Sequence, residues 1–534
     1  MAAADSLSAL PDHLLQHILS FAPAKEAAAS TVLSCRWRPL WLGTSAINLD
    51  SRTYLSCKHH DRYDVFFRDA EAAFLCLRRR LTVFLEKGAY RRVDRWVDYG
   101  DEPEDDARVA GLLVNNPAAA GLEELRVQCE YTEYGKWYSP PLASLSCAAT
   151  LRVLQLQCCN LEPPSEAPSS AHLAFPRLTD LTLYCCSLSE GYLQVLVDAA
   201  PALTSLALRY LRRHKSPETP GSAKVFHANS FHVPLRLRCR TVTALVLETN
   251  VCSEEMKHSR DAGIELDMPS LRYFCFRRVP VKLSLTSPAP ELALVQVDTT
   301  LSELNGWRYV PVSCMLAGFS CTRALKLHLS CIEDLVTSYP PWLEEEQCRF
   351  ILPTFSNLKL LQLDGKIEDK NSNTASAVMT LLRSCPAMSE LRLRFNMRKE
   401  DCYRTTKDPV TSAFAQSKER FSRFMSMSCI DRDIVELDRV TDLPENNREY
   451  SFLRTSLRKV TLQFKSNEFN CFQVQLAKFL VENGMVLEEM HVDDGNQLWP
   501  NHLCNKAARW RADAFQKRNL PDTAGFRVYQ QPAI

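Results

Sequence analysis

The sequence predicts an α/β chain: a short N-terminal run of helices, then an irregular solenoid whose curved parallel sheet is backed by helices. Three observations carry this. A six-residue pattern, L-x-x-L-x-L, recurs twelve times between residues 122 and 492. Apolar helical stretches that end in proline lie between several copies. The first fifty residues follow a different, purely helical pattern.

The copies are Leu122/Leu125/Val127, Leu151/Leu154/Leu156, Leu178/Leu181/Leu183, Leu203/Leu206/Leu208, Val242/Leu245/Leu247 and Leu271/Phe274/Phe276. They continue as Leu292/Val295/Val297, Ala324/Leu327/Leu329, Leu358/Leu361/Leu363, Met388/Leu391/Leu393, Leu457/Val460/Leu462 and Leu487/Met490/Val492. The spacing is roughly 30 residues, slightly long for the leucine-rich repeat whose strand signature this is. The last two apolar positions flank a polar one, as a half-buried strand requires. Leu193 to Ala199, stopped by Pro201, and Ala377 to Leu382, stopped by Pro386, supply backing helices. One such unit cannot bury its own apolar face, so units must stack. A 69-residue gap from Met388 to Leu457 holds a polar, charged insertion. The residue between the last two apolar positions faces outward: Arg126, Gln155, Thr182, Ala207, Val246, Cys275 and Gln296 in the first seven repeats.

Composition excludes several function classes. Lys plus Arg total 64 against 63 acidic residues, so net charge gives no argument for nucleic acid or an anionic membrane. The 15 glycines include no G-x-G, which removes the phosphate-cradling loops of dinucleotide, Walker and kinase folds. No stretch supplies the roughly 20 apolar residues that span a bilayer. The start of the sequence lacks a basic region followed by an apolar core. The 21 cysteines are therefore expected as reduced thiols in cytoplasm or nucleus.

Isolated chemistry is weak. Cys57-Lys58-His59-His60 lacks a second ligand pair at zinc spacing. Cys158-Cys159 and Cys185-Cys186 follow repeat strands, where cysteine packs as a small apolar group. No G-x-S-x-G or H-E-x-x-H occurs. No metal, cofactor or catalytic residue is expected. Asp101 to Asp106 reads as an acidic turn or short loop, and Arg209 to Lys215 as a basic loop. Phe66, Phe67, Ala70, Phe74 and Leu77 fit a helix with one buried face.

In the N-terminal segment, Leu14, Leu15, Ile18 and Leu19 share one helical stripe after Pro11 and Asp12. A second helical run begins near Ala24, and Val32-Leu33-Ser34-Cys35-Arg36-Trp37-Arg38-Pro39-Leu40-Trp41 follows. Residues 7–21 with 32–41 closely resemble the F-box: the leucine–proline opening, the paired aliphatics and the V-L-S-x-R-W-x-x-L-W ending occur in order. Leu457 to Phe464, Gln475 to Gly484 and Leu487 to Met490 resemble the FBD region that follows leucine-rich repeats in many plant F-box proteins.

The resemblance implies a non-catalytic substrate-recognition subunit of an SCF-type (Skp–cullin–F-box) ubiquitin ligase. A three-helix F-box would bind the Skp-type adaptor, and through it cullin; the repeats would bind a protein substrate. Leu10, Pro11, Leu14, Leu15, Ile18 and Leu19 would contact the adaptor; Val32, Leu33, Trp37 and Trp41 would hold the helices together or reach the adaptor. Two positions depart from the family: Pro39, expected to disfavour the third helix at Arg38, and Ala22, smaller than usual. They keep open an alternative, a repeat scaffold whose degenerate F-box only caps the array. The division implied is F-box 5–50, linker and cap 51–117, repeats 118–400, inserted segment 401–450, FBD-like repeats 451–495 and a tail, 496–534.

Overall fold

The computed structural model describes residues 9–32, 34–54, 62–74, 79–86, 103–130, 138–161, 173–188, 191–213, 235–249, 263–299, 312–335, 352–367, 373–397, 450–465, 471–493, 502–521 and 525–530. The chain divides into two compact units, Met1–His232 with Leu237–His258, and Val233–Arg236 with Ser259–Ile534.

The first unit opens with three short helices, α1 (Asp12–Leu19), α2 (Ala24–Ala29) and α3 (Trp37–Leu42). Pro11 and Pro23 stand at the two N-caps, where a missing N–H leaves no bond unmade. Leu15, Leu19, Ala27 and Leu40 form a small buried core, with Leu10, Ala22, Trp37 and Trp41 packed around it. Pro39 does not break α3. It occupies the first turn, where N–H groups have no intrahelical acceptor, and its carbonyl still accepts from the Gly43 N–H at 3.0 Å. The expected damage from Pro39 is thus corrected by its place in the helix. The Arg36 guanidinium donates to the Asp12 carboxylate at 2.9 and 2.6 Å and to the Leu10 carbonyl at 2.6 Å, tying the last helix to the first.

Strands follow in chain order: β1 (Ala46–Asp50), β2 (Arg80–Leu85), β3 (Glu124–Cys129), β4 (Val153–Gln157), β5 (Asp180–Tyr184), β6 (Ser205–Arg209) and β7 (Ala244–Glu248). Each pairs parallel with the next, in register Leu81↔Leu125↔Leu154↔Leu181↔Leu206↔Leu245. Buried and half-buried residues alternate along β2 to β7, which is the period-2 signature read from the sequence. Arg62–Phe74 is helical and buries Phe66, Phe67, Ala70 and Phe74, as the pattern implied; Leu77 lies outside the described residues. Residues Pro103–Val114 form a helix, so the acidic run enters a helix at Pro103 rather than a turn.

The sequence reading began the repeats at residue 118. The sheet begins earlier, because β1 and β2 belong to it. Their leading positions carry Thr44 and Arg78 in place of leucine, so the six-residue template passed over them.

Three successive repeats turn sharply where their strands end. Cys158, Cys185 and Tyr210 sit at φ 52°, 53° and 53°, a left-handed conformation uncommon for residues with a Cβ. Bonds between repeats hold it: Cys158 N–H to Tyr184 O at 2.9 Å, Cys185 N–H to Arg209 O at 2.8 Å and Tyr210 N–H to Glu248 O at 2.8 Å. A threonine ladder precedes the strands. The Oγ1 of Thr150, Thr179, Thr204 and Thr243 each donates to a carbonyl of the preceding repeat, at 2.7 to 3.2 Å.

The second unit repeats the plan with β8 (Tyr273–Arg277), β9 (Leu294–Thr299), β10 (Ala324–Leu329), β11 (Leu360–Ile367), β12 (Glu390–Met397), β13 (Lys459–Lys465), β14 (Glu489–Asp493) and β15 (Arg527–Gln530). All pair parallel in sequence order. In β10, Leu325 rather than Leu327 aligns with Val295 and Leu361, so the repeat runs Thr322/Leu325/Leu327, and Thr322 is buried in the leucine position. β15 adds a strand in the expected C-terminal tail, with Gly525 at its leading position. The insertion at 401–450 lies outside the described residues except Tyr450, which is buried. Helix Asn373–Arg383 buries Ala377, Val378, Leu381 and Leu382 as expected. Helix His502–Lys517 packs on helix Cys471–Asn483, and buried Arg511 donates to the carbonyls of Val481, Gly484 and Met485, which the end of that helix leaves open.

Candidate protein-binding site

The stripe read on α1 splits into two faces. Leu15 and Leu19, one turn apart, are buried in the helical core. Leu14 and Ile18, also one turn apart, lie about 100° round the helix and are 41% and 46% exposed. Phe21, in the turn after α1, is 63% exposed, Val32 is 87% and Leu42 is 39%. These five belong to the eight most exposed large apolar side chains among the described residues. Single exposed leucines are ordinary, but five within 29 residues of a small helical module mark a surface built for a partner.

The other expected contacts fall as follows. Pro11 is exposed and Leu10 half-buried, while Trp37 and Trp41 are half-buried against the helical core. Leu33 lies outside the described residues. Leu15 and Leu19 are core residues, not surface contacts. Phe21 and Leu42 were missed: both follow the last residue of the helical pattern or end it, so periodicity gave no signal for them.

The helices are anchored to the first strands by polar contacts. Asn48 on β1 donates to the carbonyls of Ser20 at 2.8 Å and Ala22 at 3.1 Å. Arg80 on β2 donates to Ser20 O at 2.7 Å, placing a cation at the negative end of α1. Lys25 donates to Thr53 O at 2.9 Å and lies 4.2 Å from the centre of the Tyr54 ring.

The outward strand positions form a second surface. Arg126, Gln155, Thr182, Ala207, Val246 and Gln296 are half-exposed, whereas Cys275 is buried, contrary to its expected place. In the second unit, this face is a lattice of paired charges: Arg392 with Glu390 at 2.7 Å, Lys459 with Glu489 at 3.4 Å and Arg394 with Asp364 at 3.9 Å. Asp364, Arg392, Arg394 and Lys459 are among the residues lining a cavity of about 250 Å³ on this face.

Among the described residues no group of three or more His, Cys, Asp or Glu can hold a metal. Cys57, His59 and His60 lie outside them. Contact with Cys185, then burial, holds the Cys158 thiol far above its ordinary range, and contact with Cys129 and Cys186 does the same for Cys159. Such thiols stay protonated, the opposite of what a nucleophile needs. Of the basic stretch, Arg209 pairs with Glu248 at 3.9 Å and the Tyr210 hydroxyl bonds Glu248 at 2.5 Å; His214 and Lys215 lie outside the described residues. No helix among the described residues is long and apolar enough to cross a membrane.

A small helical module with an apolar face, joined to stacked leucine-rich repeats, defines an F-box-type repeat protein. Comparison with known proteins agrees. The family model for the leucine-rich repeats of the FBD-associated F-box protein At5g56370 matches residues 111–219. The F-box/LRR-repeat protein At5g41840 of Arabidopsis thaliana is 50% identical over 410 residues, covering 72% of this chain and 68% of the relative. The F-box/FBD/LRR-repeat protein At5g22700 of the same plant is 22% identical over 444 residues, covering 82% and 89%. F-box protein At1g60400, also of Arabidopsis thaliana, is 25% identical over 365 residues, covering 67% and 77%. The chain belongs to the plant F-box/LRR-repeat family, among whose members are the F-box/FBD/LRR-repeat proteins.

Proposed function

We propose that this chain is a non-catalytic substrate-recognition subunit of a Skp–cullin–F-box ubiquitin ligase. Leu14 and Ile18, with Pro11, Val32 and Leu42 near them in sequence, meet a Skp-type adaptor, which links the chain to cullin. The strand faces of the repeats receive a protein substrate. Neither nucleic acid nor membrane is a partner, and the place of action is cytoplasm, nucleus or both. Ubiquitin chemistry belongs to other subunits; this chain contributes proximity, by holding the substrate near the transfer machinery.

The observation that carries this reading is the exposure of Leu14 and Ile18 on a helix whose other apolar pair is spent on its own core. Covering the exposed pair with a partner removes apolar surface from water, worth roughly 1.5–3 kcal/mol per fully buried side chain. The helix anchors to β1 and β2 support a second reading, in which the F-box only caps the array and acts outside a ligase. Co-expression with a Skp-type adaptor and an N-terminal cullin fragment separates them. Co-elution of all three supports the ligase subunit; a folded chain that elutes alone supports the cap.

A further inference from the structure

We propose that a pocket between the F-box helices and the first three strands takes an acidic side chain of the recruited protein, an inference that rests on the receptor reading above. The pocket has a volume of about 250 Å³ and includes Phe21, Phe84, Arg52, Arg80, Arg126 and Gln128 in its lining.

Its three guanidinium groups are not equivalent. Arg52 is held by Asp50 at 2.7 Å, with Glu86 and Glu130 in its field, and is already neutralised. Arg80 donates to the neutral carbonyl of Ser20 at 2.7 Å and has no carboxylate partner among the described residues. Arg126 reaches Glu124 only at 3.4 Å. The Nε atoms of Arg80 and Arg126 are both buried without an acceptor. Two guanidinium groups, each with an Nε that lacks an acceptor, therefore line the same small space, and only that of Arg80 has no carboxylate partner among the described residues.

Aromatic rings flank two of the three guanidinium groups, Arg80 and Arg52. The guanidinium carbon of Arg80 lies 5.4 Å from the centre of the Phe21 ring, and that of Arg52 lies 3.9 Å from the centre of Phe84. A planar guanidinium flanked this way loses little freedom on accepting a carboxylate and can bind it with two parallel N–H donors. Exposed Phe21 supplies an apolar wall for a neighbouring side chain. The fitting occupant is a peptide segment carrying Asp or Glu beside an apolar residue. The cavity of the second unit contrasts with this: Arg392 there places both its Nε and a terminal nitrogen on Glu390, at 2.8 and 2.7 Å.

The test uses the full chain co-purified with its adaptor and panned against a random twelve-residue peptide library. Wild type is expected to enrich Asp and Glu over the input pool. Arg126→Gln should lose that enrichment and Arg392→Gln should keep it, both with unchanged thermal melting and adaptor co-elution, and Arg80→Lys should reduce it. A selected peptide resynthesised with Gln for Glu should bind about tenfold more weakly. Selection without acidic enrichment, acidic enrichment that survives Arg126→Gln, or competition by inorganic phosphate with no peptide selected overturns the proposal. Loss of adaptor co-elution alongside normal acidic selection would instead sink the receptor reading and leave the pocket standing.

Discussion

Arg80, on the second strand of the sheet, donates at 2.7 Å to the carbonyl of Ser20 at the end of the first F-box helix. With Asn48 donating to the same carbonyl at 2.8 Å, it fixes a module too small to be stable alone onto the repeat array. Replacing both donors, Arg80→Ala with Asn48→Ala, strips the Ser20 carbonyl of these acceptor bonds. The expected cost is about 1–3 kcal/mol of docking. Limited trypsin digestion should release the segment before Ser45 faster than in wild type, while the repeats stay resistant.

The two faces of α1 predict opposite mutational responses. Leu15 is fully buried, so Leu15→Ala leaves a cavity and should cost about 2–5 kcal/mol. Leu14→Ala removes a side chain that already meets solvent and should stay within about 0.5 kcal/mol. Urea unfolding of the two variants measures the difference. A destabilised Leu14→Ala would place that residue in the core.

Fold and site were legible to different depths. Eleven of the twelve strand signatures kept their register because leucine at alternate positions and a half-buried strand are the same physical fact. β1, β2 and β15 were missed because Thr44, Arg78 and Gly525 replace the leading leucine. The eighth repeat was misaligned because Ala324 lies two residues from Thr322, and the apolar run Leu325, Leu327, Leu329 fits either frame. In α1 the sequence defined an apolar stripe but not which edge turns inward. That choice depends on where α2 and α3 pack, a tertiary fact absent from one helix's periodicity. Arg126 was legible only as an outward strand position and Arg80 gave no signal, since their significance lies in what their Nε atoms lack.

Burial also predicts thiol reactivity. Desolvation pushes Cys147 up to about 11 and Cys385 up to about 12. Both should resist iodoacetamide at about pH 8 in the folded chain and react only after denaturation. Exposed Cys35 should be modified in the native state. Mass mapping of alkylated peptides before and after urea checks this; native labelling of Cys385 would contradict its place in the core.

His328 predicts a pH effect on the second unit. A hydrogen bond to Asp364, with the charges of Asp298 and Asp364, raises its pKa above the ordinary 6.5, against opposition from burial and Arg394. A group whose folded pKa is raised stabilises fully below its unfolded value and loses that contribution as pH rises through the folded one. Wild type should therefore lose stability relative to His328→Gln between about pH 6 and about pH 8. The effect is small, because His328 is half-exposed and its ion pair is screened. Urea midpoints of both proteins across that range give the comparison, and parallel curves would refute the pairing.

The central claim is that the exposed pair on α1 meets an adaptor while the buried pair does not. The most direct measurement is the affinity of a purified Skp-type adaptor for the wild-type chain and for Leu14→Asp/Ile18→Asp, each first shown to have the same melting temperature. Loss of two apolar anchors from a desolvated contact predicts at least about a hundredfold weakening. Equal affinity for both proteins, or no binding by a folded wild type, would contradict it.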